Sequence, residues 1–491
     1  MKIELPRRQG AGDPRTLVLS QEEGERIAKL IMSLRPQGPF SWPMSIVHTV
    51  QSVTGVSQGA VIDTTDGDTM DIEFWGGDFG HYSGLRLTTN QSDEAMLRRI
   101  VDQVLAMRAP GTKAIPDPEP VDPDDPILTT LNRRSFVPVS LWHDTTADAM
   151  YTARNTVIPE IVNQVSAAGL LGTATVGFSA RSQLVIHPIG RLAYSKETDC
   201  EVTVTARTPD NGASGWGGQA HRDWSRIRPE LAIAQAVDLA NRSRTRFGLE
   251  PGRRTAILGP AAVAQLVRAM AALFGSYQSP FNTGDRRPNR PSTKLGQRVV
   301  DPRVTMISEP NDPDGGFPPF FERGGDAGFP TPATTWIDRG VLKNLAYGVS
   351  MAMQNGKIPR VEPYSIRMQP APGTKTATVD EMIASCKEGV YVHRFSNVEM
   401  VDYKSGVMTG VTRDGCFFVK NGKIEKAIKN FRFLDSPIFA LNKMELIGTS
   451  ERVAFGYRNY GRFEPRFPRL PVIVPPIMVH DFNFSALADA V

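Results

Sequence analysis

The side chains with the most latent chemistry in this sequence are seven histidines and three cysteines. His48, His81, His143, His187, His221, His393 and His480 never fall three or four residues from one another, so no helical turn presents a histidine pair to a metal. Cys200, Cys386 and Cys416 are too few and too widely spaced for a disulfide framework or a Cys-x-x-Cys knuckle. Cys416 sits in Arg413-Asp-Gly-Cys-Phe-Phe418, beside an arginine but no histidine, and is expected as a small strand residue rather than a nucleophile. A serine elbow, Gly-x-Ser-x-Gly, is absent: Gly177-Phe-Ser-Ala-Arg181 fails at its last position. Ser214 lies in Asn211-Gly-Ala-Ser-Gly-Trp-Gly-Gly218, which lacks the lysine of a phosphate cradle and is expected as a tight glycine-rich loop.

Charge narrows the partners. Fifty-six basic against 52 acidic residues leave a net charge of +4, too mild an excess to imply nucleic acid. The basic run Asp285-Arg-Arg-Pro-Asn-Arg-Pro-Ser-Thr-Lys294 carries no interleaved aromatics for base stacking, so a nucleic-acid partner is not expected. No apolar run reaches 18 residues, so no membrane span is expected, and Met1–Arg8 lacks the apolar core of a secretory signal. A cytoplasmic location is the expectation.

The elements that must position any site read as an α+β chain. Residues 1–110 form an N-terminal mixed α/β domain, with a Ser20-Gln-Glu-Glu23 capping box before a helix burying Ile27, Leu30, Ile31 and Leu34. Strands are expected over 44–89, with turns at Asp66-Gly67 and Gly76-Gly77, and a second helix from about residue 92. Residues 111–126 hold five prolines and five acids and read as a stiff, solvated linker. A middle α+β region, 127–248, opens on a helix over 146–168 interrupted at Pro159. It continues with four short strands (173–178, 183–187, 191–195, 201–206) and a long helix from Pro229. The C-terminal domain, 249–491, is β-rich. Its poorly periodic stretch 276–333 is too long for an idle connection, and turns are expected at Asp414-Gly415 and Asn421-Gly422.

One helix is central to this last domain. Pro260 suits its first position, Val263, Leu266, Val267, Met270, Leu273 and Phe274 form an apolar stripe, and Gly275 ends it. The turn and strand Leu249–Gly259 followed by this helix resemble the centre of the TldD/PmbA family of peptidases. Further along, Ser405-Gly-Val-Met-Thr-Gly-Val-Thr-Arg-Asp-Gly415, Val419-Lys-Asn-Gly-Lys-Ile-Glu425, Asn430-Phe-Arg-Phe-Leu-Asp-Ser436 and Asp481-Phe-Asn-Phe-Ser485 are similar to the family's C-terminal core.

In the family's metal-bearing branch this helix carries His-Glu-x-x-x-His, with two zinc ligands and a general base. The resemblance lays that motif on Val267, Arg268 and Ala272, where none of the three chemistries survives. A third ligand, a cysteine near the C-terminus, has no counterpart in Gly448–Gly456. What the resemblance implies is the metal-lacking TldE (PmbA-like) branch: a non-catalytic subunit with no metal or cofactor of its own. It would pair with a zinc-bearing TldD-like chain in a cage-like peptidase for unfolded or extended peptides. Arg268, at the position of the missing base, is the candidate substrate-binding residue, through a carboxylate of substrate or partner. Two rivals remain at this point: a stand-alone enzyme with a repurposed site, and a DNA-gyrase-modulating binding protein, the family's older description.

Overall fold

The computed structural model describes residues 17–34, 43–75, 84–89, 91–106, 135–187, 191–275, 278–283, 293–322, 327–347, 352, 357–360, 363, 365–455 and 471–488. The linker 111–126, the turn signal at Gly76-Gly77, His81 and the arginines of the 285–290 run lie outside the described residues.

A six-stranded sheet comes first: β1 (Met44–Ser57), β2 (Ala60–Trp75), β3 (Gly84–Thr89), β4 (Leu171–His187), β5 (Arg191–Arg207) and β6 (Ser214–His221), in the order β3-β2-β1-β4-β5-β6. All its pairings are antiparallel. β1 pairs with β4 along its whole length, so residues on either side of 111–126 share one sheet. Helices α1 (Gln21–Ser33) and α2 (Glu94–Ala106) cover one part of it through Ile27, Ile31, Leu97 and Ile100 against Ile46, Ile72 and Leu184. The helices Arg154–Ala167 and Pro229–Arg242 cover the rest, through Val157, Ile161, Ile233 and Ala236 against Val176, Phe178 and Val202.

Several sequence expectations change here, each for a physical reason. The four short strands are two 17-residue strands, β4 and β5. Polar residues that interrupt their apolar alternation, Arg181 and Glu197 among them, are buried and paired across the strands. The glycine-rich loop is mostly β6. At Gly215 and Gly217 an added Cβ would lie 2.2 Å from the Ala236 carbonyl oxygen and 2.1 Å from that of Ala232. The glycines let the Pro229–Arg242 helix settle directly on the strand. The helix break falls at residues 150–153, and Pro159 sits inside the following helix. Asp66-Gly67 lies within β2, and the turn is made by Gln58 and Gly59, both at positive φ. The capping box at Ser20 is half made: its hydroxyl accepts from Glu23 N, while the Glu23 carboxylate turns to Arg26.

The C-terminal region is β-rich, as expected. A second six-stranded sheet runs, in spatial order, Val341–Leu342, Thr334–Asp338, Val304–Ser308, Ile366–Pro370, Val472–Val474 and Glu451–Arg452. The stretch 276–333 therefore contributes a central strand of this sheet. In the third sheet, Glu388–Asp402 pairs with both Gly252–Leu258 and Val407–Lys420. With Ile477–Leu487 and Phe431–Asp435 between those two, the strands close into a ring. Phe395, Phe433 and Phe482 pack together, the first two at 4.5 Å between ring centroids. Asp414-Gly415 is a bulge inside its strand, both residues at positive φ and opposing the single residue His393. The Asn421-Gly422 turn forms as expected. With helices packed on these sheets, the architecture is α+β.

Candidate functional site

The helix singled out in the sequence runs Pro260–Ala271, then tightens into a 3-10 turn over Ala272–Phe274. Val263, Leu266, Val267, Met270, Leu273 and Phe274 are all buried in the largest hydrophobic core. This helix is the packing centre of the C-terminal half. Val267 is only 1% exposed, so a histidine at the first ligand position would point into that core. Gln265, Arg268, Ala269 and Ala272 form the less buried stripe. Arg268 lays its guanidinium 5.3 Å from the centre of the Phe455 ring. The motif helix thus lies beside the segment that the resemblance assigned to the third ligand. Among the described residues, no three histidine, cysteine, aspartate or glutamate side chains come together as a metal cage. Valine, arginine and alanine do not fit zinc, and no step through a metal follows for this chain.

The remaining candidates separate clearly. Burial pushes the Cys416 thiol up to about 12, where it stays protonated and inert. Ser214 donates to the buried Asp414 carboxylate at 2.7 Å, a tie between the first sheet and the third. His48 accepts from Leu19 N and donates from Nε2 to Asp68, which pins α1 to β1. His393 donates from Nε2 to the Trp216 carbonyl, leaving Nδ1 to accept from the Tyr391 hydroxyl. Burial, reinforced by Arg394, lowers its pKa to about 4. His221 is held near 4 by burial and by Arg452 and Arg226. Both are neutral imidazoles with structural partners.

What reading by residue type missed is a layer of buried charge. Glu197, Asp199 and Glu201 recur at every second position of β5 and so share one face. Arg181 Nη1 bridges Glu197 at 3.1 Å and Glu322 at 2.5 Å, and Arg222 reaches Glu197 at 2.9 Å. Arg452 pairs with Asp199, and Glu201 accepts from Phe455 N at 3.0 Å. This layer joins the first sheet to the C-terminal region. The i, i+2, i+4 carboxylates within a strand were the legible signal.

A cleft of about 430 Å³ opens where the pieces meet. Its walls are β6 at Trp216 and Gly218, the start of the motif helix at Pro260 and Ala261, and Thr449 with residues 451–454. Tyr391 and His393 also line it.

Residues 251–486 match the family described as the PmbA/TldA metallopeptidase C-terminal domain. The chain carries the C-terminal domain of the TldD/PmbA family. No curated protein matches the sequence. Three solved structures share the fold across nearly the whole chain. One, from Thermotoga maritima, is named as a candidate modulator of a DNA gyrase. It has TM-score 0.70 and 15% identity, covering 94% of this chain and 99% of its own. Another, from Bacteroides thetaiotaomicron and similarly named, has TM-score 0.71 and 14% identity, covering 95% and 100%. The third is TldE from Thermococcus kodakarensis, with TM-score 0.69 and 12% identity, covering 94% and 99%. At these identities the likeness concerns the fold. Among the described residues no helix is long and apolar enough to cross a membrane.

Proposed function

We propose that this chain is the non-catalytic, TldE-like subunit of a two-chain zinc peptidase in the cytoplasm, acting on unfolded or extended peptides. Zinc and the general base would reside in a TldD-type partner, and this chain would complete the cleft and hold the substrate. The observation that carries the reading is the motif helix itself. It is kept as the packing centre of the domain, while its ligand and base positions hold a buried valine, an arginine and an alanine. Arg268, on the open stripe of that helix, would meet a carboxylate of the peptide or of the partner chain. Peptide backbone would add along a sheet edge, for which the short outer strand Glu451–Arg452 beside the cleft is suited.

The test is co-expression with a zinc-bearing TldD-type chain, followed by metal analysis and peptide hydrolysis for each chain and for the pair. The expected result is a stable pair, zinc in the partner, and hydrolysis that requires both chains. Chelator-insensitive hydrolysis by this chain alone would overturn the reading in favour of a repurposed site.

A further inference from the structure

We propose that the cleft between the Pro229–Arg242 helix, the start of the motif helix and the Glu451–Arg452 strand receives a positively charged group of an extended peptide. That group is an alkylammonium or guanidinium, and it is held against the Glu451 carboxylate. The inference rests on the peptide-holding role and adds the substrate chemistry.

Charge in the cleft is one-sided. Two carboxylates line it, Glu381 and Glu451, and Arg452 is the one lysine or arginine among the described lining residues. Arg452 is committed elsewhere: it pairs with Asp199 and donates to the Asp314 carbonyl at 3.0 Å. Strand alternation explains the division, since neighbouring residues point to opposite faces. Glu451 looks into the cleft while Arg452 enters the charge layer. Glu451 has no hydrogen bond or ion pair from its side chain among the described residues. The residue is exposed, yet enough protein surrounds its carboxylate to raise its pKa, with no cation opposing the shift.

Glu381 accepts from the Thr378 backbone and hydroxyl, bonds that hold it ionised on the same lining. His393 is neutral, and burial keeps the Tyr391 hydroxyl protonated, so neither offsets the two negative charges. The motif helix contributes at most about half a positive charge at its N-terminus, and Pro260 there has no N–H to offer. Trp216, Pro260, Val379 and Val453 supply apolar wall for the methylene stem of a basic side chain.

The test uses four fluorescently labelled pentapeptides and the full-length chain. Three have blocked termini and differ only in a central lysine, norleucine or glutamate. The fourth carries norleucine with a free N-terminus. Dissociation constants are read by anisotropy at low ionic strength. The lysine peptide should bind roughly tenfold more tightly than its norleucine counterpart, and the glutamate peptide most weakly. A comparable gain for the free N-terminus would name the terminal amine as a source of the charge, and no such gain would name the side chain. Glu451→Gln should erase the preference, Glu451→Lys should reverse it, and Glu94→Gln, on α2, should leave it intact. Equal binding of lysine and norleucine peptides without gain from a free amine, or a preference that survives Glu451→Gln, would overturn this assignment alone. Failure of every peptide to bind would overturn it together with the peptide-holding role.

Discussion

Replacing Arg181 with methionine probes the charge layer most directly. Its guanidinium is 5% exposed and is shared by Glu197 (7%) and Glu322 (1%), with a further 2.6 Å bond to Gln183. Burial works against the charge, but Glu322 and Glu197 hold the guanidinium firmly protonated. Methionine fills similar volume without the charge. Glu197 keeps Arg222, whereas Glu322 loses its ion pair with Arg181 in a site closed to water. Breaking a buried pair from one side costs about 3–5 kcal/mol, because the remaining charge loses its compensation. Replacing both partners with apolar residues of similar volume removes that penalty, so Arg181→Met with Glu322→Leu should recover most of the loss. Urea unfolding at neutral pH, followed by tryptophan fluorescence, measures both. Amide exchange in β4 and β5 shows whether the loss is local. A single variant within about 1 kcal/mol of the parent, or a double variant no better than the single, would refute the assignment of this layer as a paired, dehydrated junction.

Further outcomes follow from the same structure. Gly217→Ala should destabilise the chain by about 3 kcal/mol or more, since its Cβ meets helix backbone that cannot rotate away; calorimetry within 0.5 kcal/mol of parent would contradict this. His221 and His393 have folded pKa values near 4, below the ordinary 6.5. Their stabilisation is full above pH 6.5 and is lost as pH falls towards 4. Each histidine contributes up to about 3 kcal/mol, and His393→Gln should flatten the stability–pH curve by about one proton. Installing Val267→His, Arg268→Glu and Ala272→His together should not yield a tight zinc site, because position 267 faces the core; stoichiometric zinc with unchanged stability would sink that conclusion. Arg268→Ala should cost this chain about 0.5–1 kcal/mol of stability through the lost Phe455 contact, while lowering peptide turnover by the two-chain complex.

Legibility in the sequence followed locality. The motif helix could be read because Pro260, the apolar stripe and Gly275 are all local signals, and the structure keeps them within one turn of the expected end. Asn421-Gly422 was legible for the same reason. Asp66-Gly67 and Asp414-Gly415 carry the same local signal but are overridden: Asp66 is held by Arg154, and Asp414 by Ser214, residues about 90 and 200 positions away. Arg181 and Glu197 broke two strands in the reading because a charge inside an apolar run looks like a loop until its partner is known. The cleft was harder still. Trp216, Tyr391 and Glu451 come from three distant segments, and no spacing rule links them.

The closed ring of the third sheet has a consequence for how the protein comes to be folded. Its closure needs Gly252–Leu258 beside Ile477–Leu487, contacts such as Arg253 to Asp481 that span 228 residues of chain. Val479, Phe482 and Phe484 belong to the same core as the motif helix. During synthesis that helix is made early and then waits, its apolar stripe uncovered, until the distant strand emerges from the ribosome. Pairings of such range form slowly and leave intermediates prone to association. Nascent chains stalled before residue 477 should therefore be captured by holdase chaperones, and be released once the strand is added.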